Sequence, residues 1–124
     1  MKISGWGRYP VVEARVAWPK SAAGLDEALR LCGEGAIARG LGRSYGDSSL
    51  SANMIATRWL DHLLSFDPET GLLHAEAGVS LSSILEVFAP KGWFLPVTPG
   101  TRFVTVGGAI ASDVHGKNHH VAGC

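Results

Sequence analysis

The stretch TPGTRFVTVGGAIASDVHGKNHH, Thr98 to His120, carries four glycines and three histidines, and its only acidic residue is Asp113. Thr105 is placed to cap a helix reading VGGAIASDV. Gly107 and Gly108 then fall in the first turn, where main-chain N–H groups have no partner inside the helix. Two glycines there forfeit about 1 kcal/mol of helix propensity each, so they imply a close approach to the backbone. Either a pyrophosphate sits on the helix start, or the helix packs tightly on a sheet. Both readings stay open at this level. Beyond the helix, His115 and His119 lie four apart with His120 adjacent, a spacing that chelates zinc when both rings share a helix face. Gly116 interrupts such a face. Asp113 is the one local carboxylate, and Cys124 is a remote fourth ligand.

Upstream, ARGLGRSYGD, Ala38 to Asp47, spaces its glycines G-x-G-x-x-x-G at 40, 42 and 46. It therefore fails the dinucleotide fingerprint G-x-G-x-x-G, and no G-K-[ST] makes it a Walker loop. What its composition does allow is a nest of successive main-chain N–H groups around an anion, with Arg39, Arg43 and Ser44 as side-chain donors. The competing reading is a plain tight turn.

Around these loops the chain reads as an alternation of strands and helices. Val11 to Trp18 predicts a strand stopped by Pro19. Ser21 caps a helix with Leu25, Ala28, Leu29 and Cys32 on one face and Gly33 as its stop. Ala36 to Arg39 is a short strand opening into the first glycine loop. Met54 to Trp59 is a further strand, and His62 to Ala77 is a hairpin turning at DPETG. Ser80 caps a second helix with Leu81, Ile84, Leu85 and Phe88 at i, i+3, i+4, i+7, ended by Pro90 and Gly92. Phe94 to Val97 predicts a last short strand, and no closing helix or strand is expected after His120. The resulting order, β α β β β β α β, defines a mixed α/β (α+β) domain with helices packed on a sheet.

Composition narrows the function classes. Apolar residues at 46% and charged residues at 18% of 124 residues describe one globular domain's worth of chain rather than a disordered or fibrous one. Eleven basic residues balance eleven acidic ones without clustering, so the footprint of a nucleic-acid binder is missing. Cys32 and Cys124 fit no metal or C-x-x-C spacing, which favours a reducing compartment. No secretion signal or membrane-spanning run is present, and the chain reads as soluble and cytoplasmic.

Three motifs together, GWGR at 5 to 8, RGLGRSYGD at 39 to 47 and PGTRFVTVGGAIASDVHGKNHH at 99 to 120, resemble the FAD-binding half of the p-cresol methylhydroxylase (PCMH) and vanillyl-alcohol oxidase flavoprotein family, most nearly its decaprenylphosphoryl-ribose oxidase branch. The resemblance implies a small α/β subdomain over 1–97, the start of a larger subdomain over 98–124, and FAD between them. It assigns the cofactor to Arg39, Gly40, Gly42, Arg43, Ser44, Tyr45, Gly46 and Asp47 in the first loop. In the second region it assigns Pro99, Gly100, Thr101, Val104, Gly107, Gly108, Ala111, Ser112, His115, Gly116 and Asn118. His115, Lys117 and Tyr45 would lie near the flavin ring and a sugar or polyprenylphosphoryl-sugar substrate, with hydride passing from an alcohol carbon to the flavin.

Relatives that tether flavin covalently do so through a histidine in a pattern like R-H-S. Here the corresponding stretch is Arg43-Ser44-Tyr45, so noncovalent FAD is expected. Family members run well beyond 124 residues. A piece of this length is expected to be inactive by itself and prone to self-association. Two alternatives accompany this reading. One is another reaction on the same fold, such as a hydroxy-acid dehydrogenase or a UDP-sugar reductase. The other is a non-enzymatic metal- or nucleotide-binding module using His115, His119 and His120.

Overall fold

Ala14 is where the amino-terminal strand changes partner. In the computed structural model, which describes residues 1–124, the segment expected as one strand over Val11 to Trp18 is two. Strand β1 (Lys2–Ser4) pairs antiparallel with β2 (Val11–Glu13), whereas β3 (Arg15–Ala17) belongs to a different sheet. Between them Ala14 is buried. Its N–H donates to the Met1 carbonyl at 2.9 Å, and the terminal ammonium donates back to the Ala14 carbonyl at 2.7 Å. One residue later, the Arg15 N–H has turned to the Ala52 carbonyl at 2.8 Å. The apolar pattern runs straight through this change because pattern records burial, not which neighbour provides it.

The chain forms two compact units, Met1–Leu60 and Asp61–Cys124. In the first, helix α1 (Ala22–Cys32) connects β3 to β4 (Ala36–Arg39), and β5 (Asn53–Ala56) lies between those two strands, parallel to both. A central parallel strand is covered on both faces and reads as a continuous apolar run. Met54, Ile55 and Ala56 are accordingly all buried. Helix α1 begins as expected: Ser21 Oγ accepts the Gly24 N–H at 3.1 Å, and Gly33, at φ 64°, ends it. Its inward stripe is the buried Ala28 flanked by the half-buried Leu25 and Cys32. Leu29, one step further round the helix, faces solvent instead of joining them.

In the second unit, β6 (Leu63–Phe66) and β7 (Leu73–Ala75) form the expected hairpin. Its turn is built by Asp67, whose carboxylate accepts from the Glu69 N–H at 2.9 Å and the Thr70 hydroxyl at 2.7 Å. Helix α2 (Leu81–Phe88) is capped by Ser80 and runs into a single 3-10 turn (Ala89–Lys91) closed by Gly92 at φ 87°. Val79, Leu81, Ile84 and Phe88 make the core of this unit, with Phe66, Trp93 and Val106 among the residues packed on it.

No strand forms over Phe94 to Val97. Pro96 has no N–H to give a ladder, and its carbonyl is taken by the Asn118 side chain at 3.1 Å. Helix α3 is Val106–Ala111, shorter than its sequence pattern, and a final short helix α4 (His119–Ala122) stands where none was expected. No helix of the chain is long and apolar enough to cross a membrane.

Candidate functional site

The first glycine loop leaves β4 at Arg39 and stays irregular to Ser49. Gly42 and Gly46 hold φ of 67° and 57°, the left-handed region that costs a side-chain-bearing residue about 1 kcal/mol or more. Main-chain N–H groups of Leu41, Gly42, Ser44, Tyr45 and Gly46 donate to no group of the protein. A run of unspent donors interrupted by left-handed residues is the composition of an anion nest. Tyr45 is 81% exposed.

Two features of this loop were not legible in its own sequence. Arg39 does not point outward: its Nη2 donates to the Ser4 carbonyl at 2.7 Å and its Nη1 to the Ser49 carbonyl at 3.1 Å and Ser49 Oγ at 3.3 Å. The GWGR turn packs on the loop from the other side. A Cβ on the buried Gly5 would stand 2.9 Å from the Gly46 carbonyl oxygen, and the Arg43 guanidinium lies over the Trp6 ring at 5.1 Å.

In the second unit, the glycines of α3 have a structural explanation. The Val106 N–H donates to the Val79 carbonyl at 2.8 Å, the Gly107 N–H to the Ala77 carbonyl at 2.9 Å and the Gly108 N–H to Thr105 Oγ1 at 3.0 Å. All three donors at the helix start are committed inside the unit. Gly107 is the point of closest approach to Ala77, which gives the packing reading a definite geometry. Thr101 Oγ1 holds the Phe103 N–H at 3.1 Å, while Gly100 has open space where a Cβ would stand.

His115, Gly116, Lys117 and Asn118 meet Pro99 and Gly100 around an open cleft of about 820 Å³, within the usual size range of small-molecule sites. The segment is pinned by the Asn118 amide on Pro96 and by Gly116, whose missing Cβ would lie 2.7 Å from the Thr98 carbonyl oxygen. Phe94, Leu95 and Thr98 also line this cleft. The irregular Phe94 stretch supplies apolar lining that a strand prediction does not suggest. Val104, Ala111 and Ser112 do not line it.

The histidines stack edge to face, His115 on His119 at 5.5 Å and His119 on His120 at 5.8 Å between centroids. His119 Nδ1 bonds the Gly116 carbonyl at 3.0 Å, so that nitrogen carries the proton. No group of three or more His, Cys, Asp or Glu side chains is arranged to hold a metal ion. Both cysteines are free thiols, and the Asp113 carboxylate beside Cys124 pushes that thiol's pKa up, against a reactive thiolate.

The class of the protein is shown by its family: the chain belongs to the FAD binding domain family, whose model matches residues 13–124. It is 43% identical to decaprenylphosphoryl-beta-D-ribose oxidase of Mycolicibacterium smegmatis, over 98% of this chain and 28% of that protein. It is 26% identical to D-2-hydroxyglutarate dehydrogenase of Escherichia coli, over 93% of this chain and 12% of that protein. Among solved structures, cholesterol oxidase from Brevibacterium sterolicum superposes with a TM-score of 0.72 over 93% of this chain and 24% of its own, at 17% identity. The fold is thus that of PCMH-type FAD-binding oxidases, and the chain spans less than a third of the length of these relatives.

Proposed function

We propose that this chain is the amino-terminal FAD-binding portion of a flavin-dependent oxidoreductase acting on an alcohol carbon of a sugar, of the polyprenylphosphoryl-ribose kind. The observation that carries the reading is the cleft where His115 and Lys117 stand beside the bare backbone of Pro99 and Gly100. Its support from outside the structure is the 43% identity to a decaprenylphosphoryl-ribose oxidase along nearly the whole chain. The division into subdomains 1–97 and 98–124 is part of the same proposal, as are turnover by the whole protein only, self-association of this portion and a cytoplasmic location.

In the first unit, the unspent main-chain donors of Leu41, Gly42, Ser44, Tyr45 and Gly46 suit a diphosphate; in the second, the groups around Gly100 and Gly116 suit a flavin ring. FAD when bound supplies the hydride acceptor. Lys117 brings a cation to the cleft, where it stabilises negative charge building on the substrate oxygen. His115 accepts or gives a hydrogen bond to orient the reacting hydroxyl. With serine rather than histidine at 44, the first loop has no imidazole to bond the flavin, so the cofactor is held noncovalently.

Oxidation of a hydroxy acid on the same fold is the second reading, favoured by the likeness to the D-2-hydroxyglutarate enzyme. The test is a titration of the purified protein with FAD, followed by flavin absorbance, with riboflavin and zinc as comparisons. Saturable binding of FAD supports the assignment; zinc binding without flavin binding would overturn it. In the whole protein, anaerobic bleaching by a polyprenylphosphoryl-ribose rather than a D-2-hydroxy acid decides between the two reactions.

A further inference from the structure

We propose that Arg39 is a positioning residue that presets the first glycine loop for a diphosphate without touching it, an inference that rests on the flavin-binding reading above. The Arg39 backbone is fixed at the end of β4, where its carbonyl accepts the Thr57 N–H at 2.9 Å and the Thr57 hydroxyl at 3.4 Å. From that anchor the side chain reaches both ends of the surrounding chain, Ser4 where β1 closes and Ser49 where the loop closes. Gly42 is shaped to this arrangement: besides its left-handed φ, a Cβ there would collide with Arg39 Nη2. Gly5 clamps the other flank against the Ser44 and Gly46 carbonyls.

Charge gives the second half of the argument. All three acceptors of the guanidinium are neutral oxygens, and the His62–Glu76 ion pair lies in the other unit. Burial disfavours the charged form of Arg39, pulling its pKa down, with no carboxylate to offset the cost. An uncompensated cation in the footing of a loop with unspent N–H donors makes a field that favours an anion on that loop. A bracing role alone needs no charge; the combination of fork geometry and unpaired charge suits a diphosphate.

The experiment compares the purified protein with Arg39→Lys, Arg39→Met and Gly42→Ala, titrating FAD, riboflavin and inorganic pyrophosphate. Lysine keeps the charge and loses the fork, so Arg39→Lys weakens FAD and pyrophosphate about tenfold, and Arg39→Met about a hundredfold. Riboflavin, which lacks the diphosphate, changes less than about twofold. Gly42→Ala displaces the guanidinium without removing it and behaves like Arg39→Lys. FAD affinity of folded Arg39→Met within twofold of wild type overturns the proposal, as does an equal loss for riboflavin. Should Arg39→Met not fold, Arg39→Lys carries the same decision. Amide hydrogen exchange without ligand separates this inference from the flavin reading. Faster exchange in the variants at Trp6 and Leu50, whose N–H groups donate to the Ser44 and Asp47 carbonyls of the loop, supports the brace even if no flavin binds, and unchanged exchange refutes it.

Discussion

Gly107 gives its main-chain N–H to the Ala77 carbonyl at 2.9 Å, and a Cβ at 107 would stand 3.1 Å from Ala77 Cβ and 3.2 Å from Ala77 O. Helix propensity alone makes Gly107→Ala stabilising by about 1 kcal/mol. Contact with a hydrogen-bonded carbonyl reverses that sign, for a net loss of about 1–2 kcal/mol. Urea denaturation measures it, and a gain in stability would show the neighbouring chain yields easily. Gly100→Ala is the counterpart: nothing lies within 4 Å of its Cβ, so stability stays within about 0.5 kcal/mol while FAD affinity falls if the cleft holds the cofactor.

His62 Nδ1 lies 2.6 Å from Glu76 Oε2, and the same oxygen accepts the His62 N–H at 2.9 Å. The hydrogen bond and charge of Glu76 raise the His62 pKa above its usual 6.5. The two hydrogen bonds from His62 lower that of Glu76 below 4.5. The histidine's contribution is fully present below pH 6.5 and disappears as pH climbs through its raised folded value. The carboxylate's is present above pH 4.5 and disappears as pH drops through its lowered one. The difference in Tm between wild type and His62→Gln is therefore greatest between about pH 4.5 and 6.5, and small because both groups are solvated. A difference that is flat from pH 4 to 9 would remove the pair from the account.

Phe88 is 7% exposed, and its ring lies 4.5 Å from that of Phe66, which meets Trp93 edge-on at 5.6 Å. Phe88→Ala opens a cavity in the core of the second unit and costs about 3–5 kcal/mol. Met54, fully buried in the central strand of the first unit, costs about 2–5 kcal/mol on truncation to alanine. Equilibrium unfolding checks both, and a loss below about 1 kcal/mol at either site contradicts the packing described.

Thr105 is 2% exposed, and its Oγ1 accepts the Gly108 N–H. Removing that oxygen with Thr105→Val strands the donor and costs about 1–2 kcal/mol, while Thr105→Ser retains most of the stability. Equal losses in the two variants would assign Thr105 a packing role instead.

Acid precipitation of the flavin-loaded protein should leave the yellow colour in the supernatant, since residues 43–45 read Arg-Ser-Tyr and provide no imidazole. Colour carried down with the denatured pellet contradicts noncovalent attachment.

Local chemistry was readable because its partners are neighbours in sequence. Ser21, Ser80 and Thr105 each cap a helix by accepting an N–H three residues on, and Asp67 builds its turn within four residues. The motifs of both glycine regions were likewise sufficient to point to the FAD-binding family that matches residues 13–124. The strand expected at Phe94 failed because apolar residues beside a proline fit a cleft wall as well as a strand.

The sequence by itself determined the helix starts, the hairpin, the loop positions and the family. Only tertiary structure decided that the strand changes sheets at Ala14, that Arg39 turns inward to Ser4 and Ser49, and that the Val106 and Gly107 N–H groups of α3 are spent on Val79 and Ala77. Hydrogen bonds across such separations depend on which segments the fold brings within about 3 Å, and no local pattern of residues encodes that choice.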